Sequence, residues 1–118
     1  MANIQIERVL AALFDRWNAL GVADGALAVV AGVPPRSLAR WREGTYPQIA
    51  ARARVEALGA LLNKLLRSFG EDDDAALRVW LHADNRYLGG LKPIEALMAG
   101  RFDRVEAALI ALDEGFFT

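Results

Sequence analysis

The chain contains no cysteine and a single histidine, His82. The first absence excludes disulfides, thiolate metal sites and cysteine nucleophiles. The second excludes a zinc site built from several histidines. Long apolar runs are missing as well. The longest, from Ala26 to Val33, is far short of the roughly 20 residues that span a bilayer. Met1 to Arg8 lacks the basic stretch followed by an apolar one that marks a secretory signal. The expectation is therefore a cytoplasmic protein with no membrane partner. Strand-like alternation bounded by hairpin turns is also absent. Hydrophobic residues nevertheless make up 54% of the 118. That argues against disorder and for one domain or two very small ones.

The formal net charge is −1, which on its face argues against nucleic acid as a partner. Dividing the chain reverses that argument. Residues 1–69 carry nine basic and five acidic side chains, a balance of +4, and residues 70–118 carry five and ten, a balance of −5. An asymmetry of this kind points to two different partners.

The pattern reads as all-α. Ile6, Val9, Leu10, Leu13, Phe14, Trp17 and Leu20 recur at three- and four-residue steps, one stripe of a helix from about Ile4 to Leu20 with Asn3 as its cap. Asp24 is placed to cap a short second helix that ends near Ala31, before Gly32. Pro35 opens a third, to about Glu43, because proline at a first helical position gives up an N–H that had no partner there. Pro47 opens a long fourth helix with the stripe Ile49, Ala53, Ala57, Leu58, Leu61, Leu62, Leu65, Leu66 and Phe69. Gly70 ends it, and the boundary between domains 1–69 and 70–118 is placed there. Asp72, Asp73 and Asp74 sit where a fifth helix begins, as carboxylates at a positive helix end rather than as metal ligands. After the loop 84–90, Pro93 opens a sixth helix, and a seventh carries Phe102, Val105, Leu109 and Leu112 up to Gly115.

Residues 24–44 have the pattern of a helix-turn-helix. Ala28 is small enough for two helices to cross, Gly32 permits the sharp turn, and Leu38 and Trp41, three apart, anchor the second helix of the pair. Its outward face then holds Pro35, Arg36, Ser37, Ala39, Arg40 and Glu43, flanked by Arg42, with Arg52 and Arg54 on the next helix. Arginine reaches the N7 and O6 acceptors of guanine, or clamps a phosphate. These residues other than Glu43 are the expected DNA-binding set, and a dimer on a palindromic operator is the natural arrangement. A plain helical bundle with solubilising arginines has the same pattern.

The second half offers no catalytic group. His82 and Asp84, two apart on a helix, point to different sides, and no nucleophile lies beside a base. No enzyme, cofactor or metal is expected. Instead, the run Val79-Trp80-Leu81, Asn85, Leu88-Gly89-Gly90, Lys92-Pro93, Leu97 and Gly100, then Val105 and Leu109, resembles the C-terminal toxin-binding domain of the Xre/MbcA/ParS antitoxins. The first half resembles that family's N-terminal Xre-like region, and the ending from Asp113 resembles its MbcA branch. The resemblance implies an antitoxin of a type II toxin–antitoxin system. Its partner would be a cognate RES-domain toxin that consumes NAD⁺ or transfers ADP-ribose. Such antitoxins place their C-terminal region over or into the toxin's active site, dimerise or form higher toxin–antitoxin hetero-oligomers, and repress their own operon.

Beside that resemblance, the loop offers Asn85, Arg86, Tyr87, Gly89, Gly90 and Lys92, a glycine-containing turn with residue types enriched at binding hot spots. Asn85 suits a structural turn equally well. The chain's end offers Asp113, Glu114, Gly115, Phe116, Phe117 and Thr118, two phenylalanines beside carboxylates suited to a basic, nucleotide-binding cleft. Two other readings use the same residues: a stand-alone helix-turn-helix repressor without a toxin, and an antitoxin whose helix-turn-helix only packs. Deleting Phe116 to Thr118 is expected to leave the thermal melt unchanged and to weaken protection of cells expressing the toxin. Full protection by the truncated chain would overturn the assignment of the tail.

Overall fold

In the computed structural model the described residues are 2–115, with side chains from Val9 onward. Phe116, Phe117 and Thr118 lie outside them. Among the described residues the structure is all-helical: α1 (Ala2–Ala19), α2 (Asp24–Ala31), α3 (Pro35–Arg42), α4 (Ile49–Phe69), α5 (Asp74–His82), α6 (Pro93–Met98) and α7 (Phe102–Asp113), with one 3-10 turn at Arg86–Leu88. None of these helices is long and apolar enough to cross a membrane.

The chain forms two compact units, Met1–Gly59 and Ala60–Thr118. They divide within α4, about three turns before the Gly70 boundary expected from composition. Composition changes where the helix stops, whereas packing changes where the helix turns from one set of neighbours to another.

In the first unit α1 packs on α2 and α3, and α2 packs on α3. Phe14 and Trp17 of α1 and Leu20 just after it are buried with Leu27 and Ala28 of α2 and Leu38 and Trp41 of α3. The Phe14 and Trp41 rings lie 6.3 Å apart. Each such side chain contributes on the order of 1.5–3 kcal/mol by leaving water. Three members of the expected stripes face outward instead, Val9 at 64% exposure, Ile49 at 80% and Ala53. At the start of α4 the buried positions are Ala51, Val55 and Leu58, and Ile49 and Ala53 lie on the opposite side of the helix.

Gly32 closes α2 in the left-handed region, φ 74°. The N–H groups of Gly32 and Val33 return to the carbonyls of Val29 and Ala28. This satisfies helix-end acceptors at an angle that costs glycine little. Asp24 does not cap α2 as expected, since Ala23 occupies the cap position without a side-chain bond. The Asp24 carboxylate is drawn elsewhere, to Arg42.

Arg42 ends α3 and reaches both preceding helices. Its Nη1 pairs with Asp15 of α1, while Nη2 donates to Asp24 and to Asn18, each at 2.9 Å. The guanidinium also stands 5.5 Å from the Phe14 ring centroid. Partial burial alone would push the Asp24 carboxyl up and the Arg42 guanidinium down. The hydrogen bonds and opposite charges outweigh it, holding Asp24 below and Arg42 above their ordinary values.

The second unit is built on Leu61, Leu62 and Leu65 of α4, Leu77 and Leu81 of α5, Ala96 and Leu97 of α6, and Val105 and Leu109 of α7, all buried. Helix α5 packs on α6, α6 on α7, and α7 on the 3-10 turn. The aspartate run does what its position suggests, with Asp73 Oδ1 accepting from the Ala76 N–H at 3.3 Å. Glu95 reaches back to the Lys92 N–H at 2.9 Å, starting α6 behind Pro93. Trp80 is half-buried, its ring 5.9 Å from that of Phe69.

Arg42→Met should lower stability by about 1–2 kcal/mol in urea unfolding, through loss of the ion pairs and the ring contact. Because the folded-state pKa of Asp24 is depressed, its contribution is complete above the unfolded value near ~4. It is lost as pH falls below that value toward the folded one. Asp24→Asn should flatten the acid limb of the stability curve below about pH 4 and lower the neutral plateau. An acid limb identical to that of the unsubstituted chain would disprove this role.

Candidate partner-binding surfaces

In the first unit α3, the helix expected to meet DNA, turns its basic side outward. Arg36 and Arg40 are exposed on α3, with Pro35 and Ala39 also outward and Ser37 half-buried. Arg54 is exposed on α4. None of these three arginines pairs with a carboxylate among the described residues, so their donors remain for an outside acceptor.

Arg42 is a correction to the expected DNA-binding set. Its guanidinium is committed to Asp15, Asp24 and Asn18, and its work is to hold α3 in place. Arg52 is also less available than expected. It is half-buried, its guanidinium lies 4.4 Å from the Tyr46 ring centroid, and its Nε is buried without an acceptor among the described residues.

In the second unit the loop between α5 and α6 is a closed ring. The Asn85 N–H donates to the Leu91 carbonyl at 3.0 Å, and the Gly90 N–H returns to the Asn85 carbonyl at 2.9 Å. Inside the ring, Asn85 Oδ1 accepts from the Tyr87 N–H at 2.9 Å, and Leu88 is buried. Asn85 is itself 8% exposed. It therefore pins the turn from within, the structural role the sequence also allowed it.

The ring pushes Arg86, Tyr87 and Lys92 outward. Gly89 and Gly90 follow at φ 67° and 94°, and a Cβ on either would meet nothing within 4 Å. The backbone angle, rather than crowding, requires glycine there, and the space outside is open to a partner. Asp113, the last residue of α7, is exposed, and its Oδ2 accepts from Ser68 Oγ at 2.8 Å. Glu114 and Gly115 are exposed.

The sequence reading missed a groove beside the ring. It holds about 230 Å³, with Leu88, Ala96 and Ala99 as its apolar wall and Leu91, Arg101 and Arg104 at its edge. Leu91 is 43% exposed, and neither arginine pairs with a carboxylate among the described residues. The available signal was the three-residue spacing of Arg101 and Arg104 at a helix start, which puts both on one side.

Residues 64–115 match the family model described as the antitoxin Xre/MbcA/ParS C-terminal toxin-binding domain. The mycobacterial cidal antitoxin MbcA of Mycobacterium tuberculosis is 30% identical over 99 residues, which are 83% of this chain and 85% of that protein. The chain belongs to the Xre/MbcA/ParS antitoxin family. A second Mycobacterium tuberculosis relative, a probable mycobacterial cidal antitoxin, is 30% identical over 107 residues, 89% of this chain and 88% of its own. The structure superposes on a chain of the crystallised Mycobacterium tuberculosis MbcT–MbcA toxin–antitoxin complex with a TM-score of 0.68 at 28% identity, covering 93% of this chain and 98% of that one. In this MbcA-like antitoxin the family match contains the closed ring and the groove, while the Arg36 and Arg40 face lies outside it.

Asn85→Ala should cost about 1–2 kcal/mol by freeing the Tyr87 N–H inside the ring. Amide exchange at Tyr87, Gly90 and Asn85 should rise together. Exchange that rises at Tyr87 alone would show that the ring closes without the side chain.

Proposed function

We propose that the chain neutralises a RES-domain toxin, one that consumes NAD⁺ or transfers ADP-ribose, by laying its second unit over the toxin's active site. The observation that carries this reading is the match of residues 64–115 to a toxin-binding domain, in the segment that displays the closed ring. Arg86, Tyr87 and Lys92 on the ring, the Leu91 groove with Arg101 and Arg104, and the end from Glu114 to Thr118 form the toxin-facing set. The unit acts by occupying a site and excluding substrate, which needs no catalytic group of its own. Tyrosine and arginine suit that task, since each buries a large area and keeps a polar tip for hydrogen bonds.

The first unit carries a second role, repression of the chain's own operon through Arg36 and Arg40 of α3, with the protein acting in the cytoplasm as a homodimer or within a larger toxin–antitoxin assembly. The unpaired state of these arginines favours this over a helix-turn-helix that only packs. A cation kept for solubility alone gains by pairing with nearby carboxylates, as Arg42 does.

Co-expression with the RES-domain toxin should restore growth, and the two chains should co-purify. The double reversal Arg101→Glu with Arg104→Glu should weaken toxin binding at least about tenfold, roughly 1.4 kcal/mol, with an unchanged melt. Unaltered affinity would remove the groove from the toxin-facing set. Failure of the unsubstituted chain to bind the toxin would favour the stand-alone repressor instead.

A further inference from the structure

Gly32 has a second consequence besides its angle. A Cβ built there would stand 2.5 Å from Arg54 Nη1 and 3.4 Å from its Cζ. The guanidinium of α4 thus occupies the space left by the missing side chain, against the bare backbone of the turn between α2 and α3. The N–H donors of that turn are already used within it, at Gly32 to Val29 and at Val33 to Ala28. Arg54 finds no carboxylate there either.

The same place is the wall of a groove of about 500 Å³ in the first unit. Arg40 enters it from α3, Arg54 from α4, and Ser37, Thr45 and Gln48 add neutral donors, while no aspartate or glutamate lines it. Arg36 does not line it. Two forked cations and three neutral donors around a concavity without acid are the complement of a phosphate.

We propose that Arg54 and Arg40 clamp one backbone phosphate of DNA in this groove, with Gly32 leaving the room in which Arg54 sits. The inference rests on the operator reading above and deepens it. It separates a clamp that is blind to sequence, Arg40 and Arg54, from a residue placed to meet base edges, Arg36. It also gives the α4 arginine, outside the helix-turn-helix pair, a defined part in the grip.

The test is fluorescence anisotropy of the full chain on two labelled duplexes, the protein's own promoter and a scrambled sequence, across a salt series. Arg54→Gln should weaken binding to both duplexes by the same factor, about tenfold, and make the salt slope shallower by about 0.9. Arg54→Lys keeps the charge without the fork and should recover the slope but not the full affinity. Arg36→Gln should weaken the promoter more than the scrambled duplex. Arg54 is exposed, so a native melt is expected for both of its variants. Promoter binding with an unchanged slope in Arg54→Gln overturns the clamp and leaves the operator reading standing. A wild-type chain that binds neither duplex at low salt overturns both.

Discussion

One guanidinium holds the first three helices in register. Arg42 sits at the end of α3 and spans to Asp15 on α1 and Asp24 on α2, with Asn18 as a third acceptor and the Phe14 ring beneath it. Short helices of eight residues, such as α2 and α3, are marginal on their own. What fixes α3 is Leu38 and Trp41 in the core on one side and Arg42 on the other. The direction in which Arg36 and Arg40 point depends on that fixation. An α3 free to rotate by even a fraction of a turn would spread its two arginines over many directions.

The second unit meets a similar demand with backbone rather than charge. Seven residues from Asn85 to Leu91 close on themselves through main-chain bonds, and a buried amide side chain satisfies the donor inside. Polar groups without water must find partners, so a buried asparagine in a tight turn is held to one arrangement. The outcome is a rigid display of Arg86, Tyr87 and Lys92 at small entropic cost to a partner. Preorganisation of this kind lowers the ordering penalty of binding.

Much of this was legible in the sequence, for physical reasons that differ by residue. Gly32, Gly44, Gly70 and Gly115 all take positive φ, and Pro35 and Pro93 start helices, so element ends followed from residues with few conformational options. Leu38 and Trp41 were found by spacing alone. The resemblance of the second half to a toxin-binding domain agrees with the match over residues 64–115. What sequence does not reveal is whom a charge will meet. Arg40 and Arg42 are two apart and chemically identical, yet one lines an open groove and the other is bound to a carboxylate 27 positions away. Asn85 stands beside exposed loop residues and is buried, because the 3-10 turn folds the chain over it. Ile49 has the hydrophobicity of a core residue and lies on the surface, because the buried face at the start of α4 runs through Ala51 and Val55 on the opposite side.

The charge asymmetry changes its meaning once packing is considered. Counted over the compact units, residues 1–59 carry seven basic and five acidic side chains and residues 60–118 carry seven and ten. Lys64 and Arg67 have moved to the second unit, and the contrast between the halves has shrunk. Two of the acids in the first unit are then spent on Arg42. The structure thereby places its neutralising carboxylates on one side of α3 and leaves Arg36 and Arg40 without any. In the second unit Lys64 pairs with Glu106 at 3.0 Å, whereas Arg101 and Arg104 stand unpaired beside an apolar groove. In the proposed function, which cations are left unneutralised and what surrounds them would separate a polyanion from a protein partner. Ser37, Thr45 and Gln48 line the groove with Arg40 and Arg54, beside an apolar wall that includes Val33 and Ala51, and no acid enters it, which suits phosphate. Leucine and alanine surround Arg101 and Arg104, which suits an acidic protein surface that carries an apolar side chain to fill the groove.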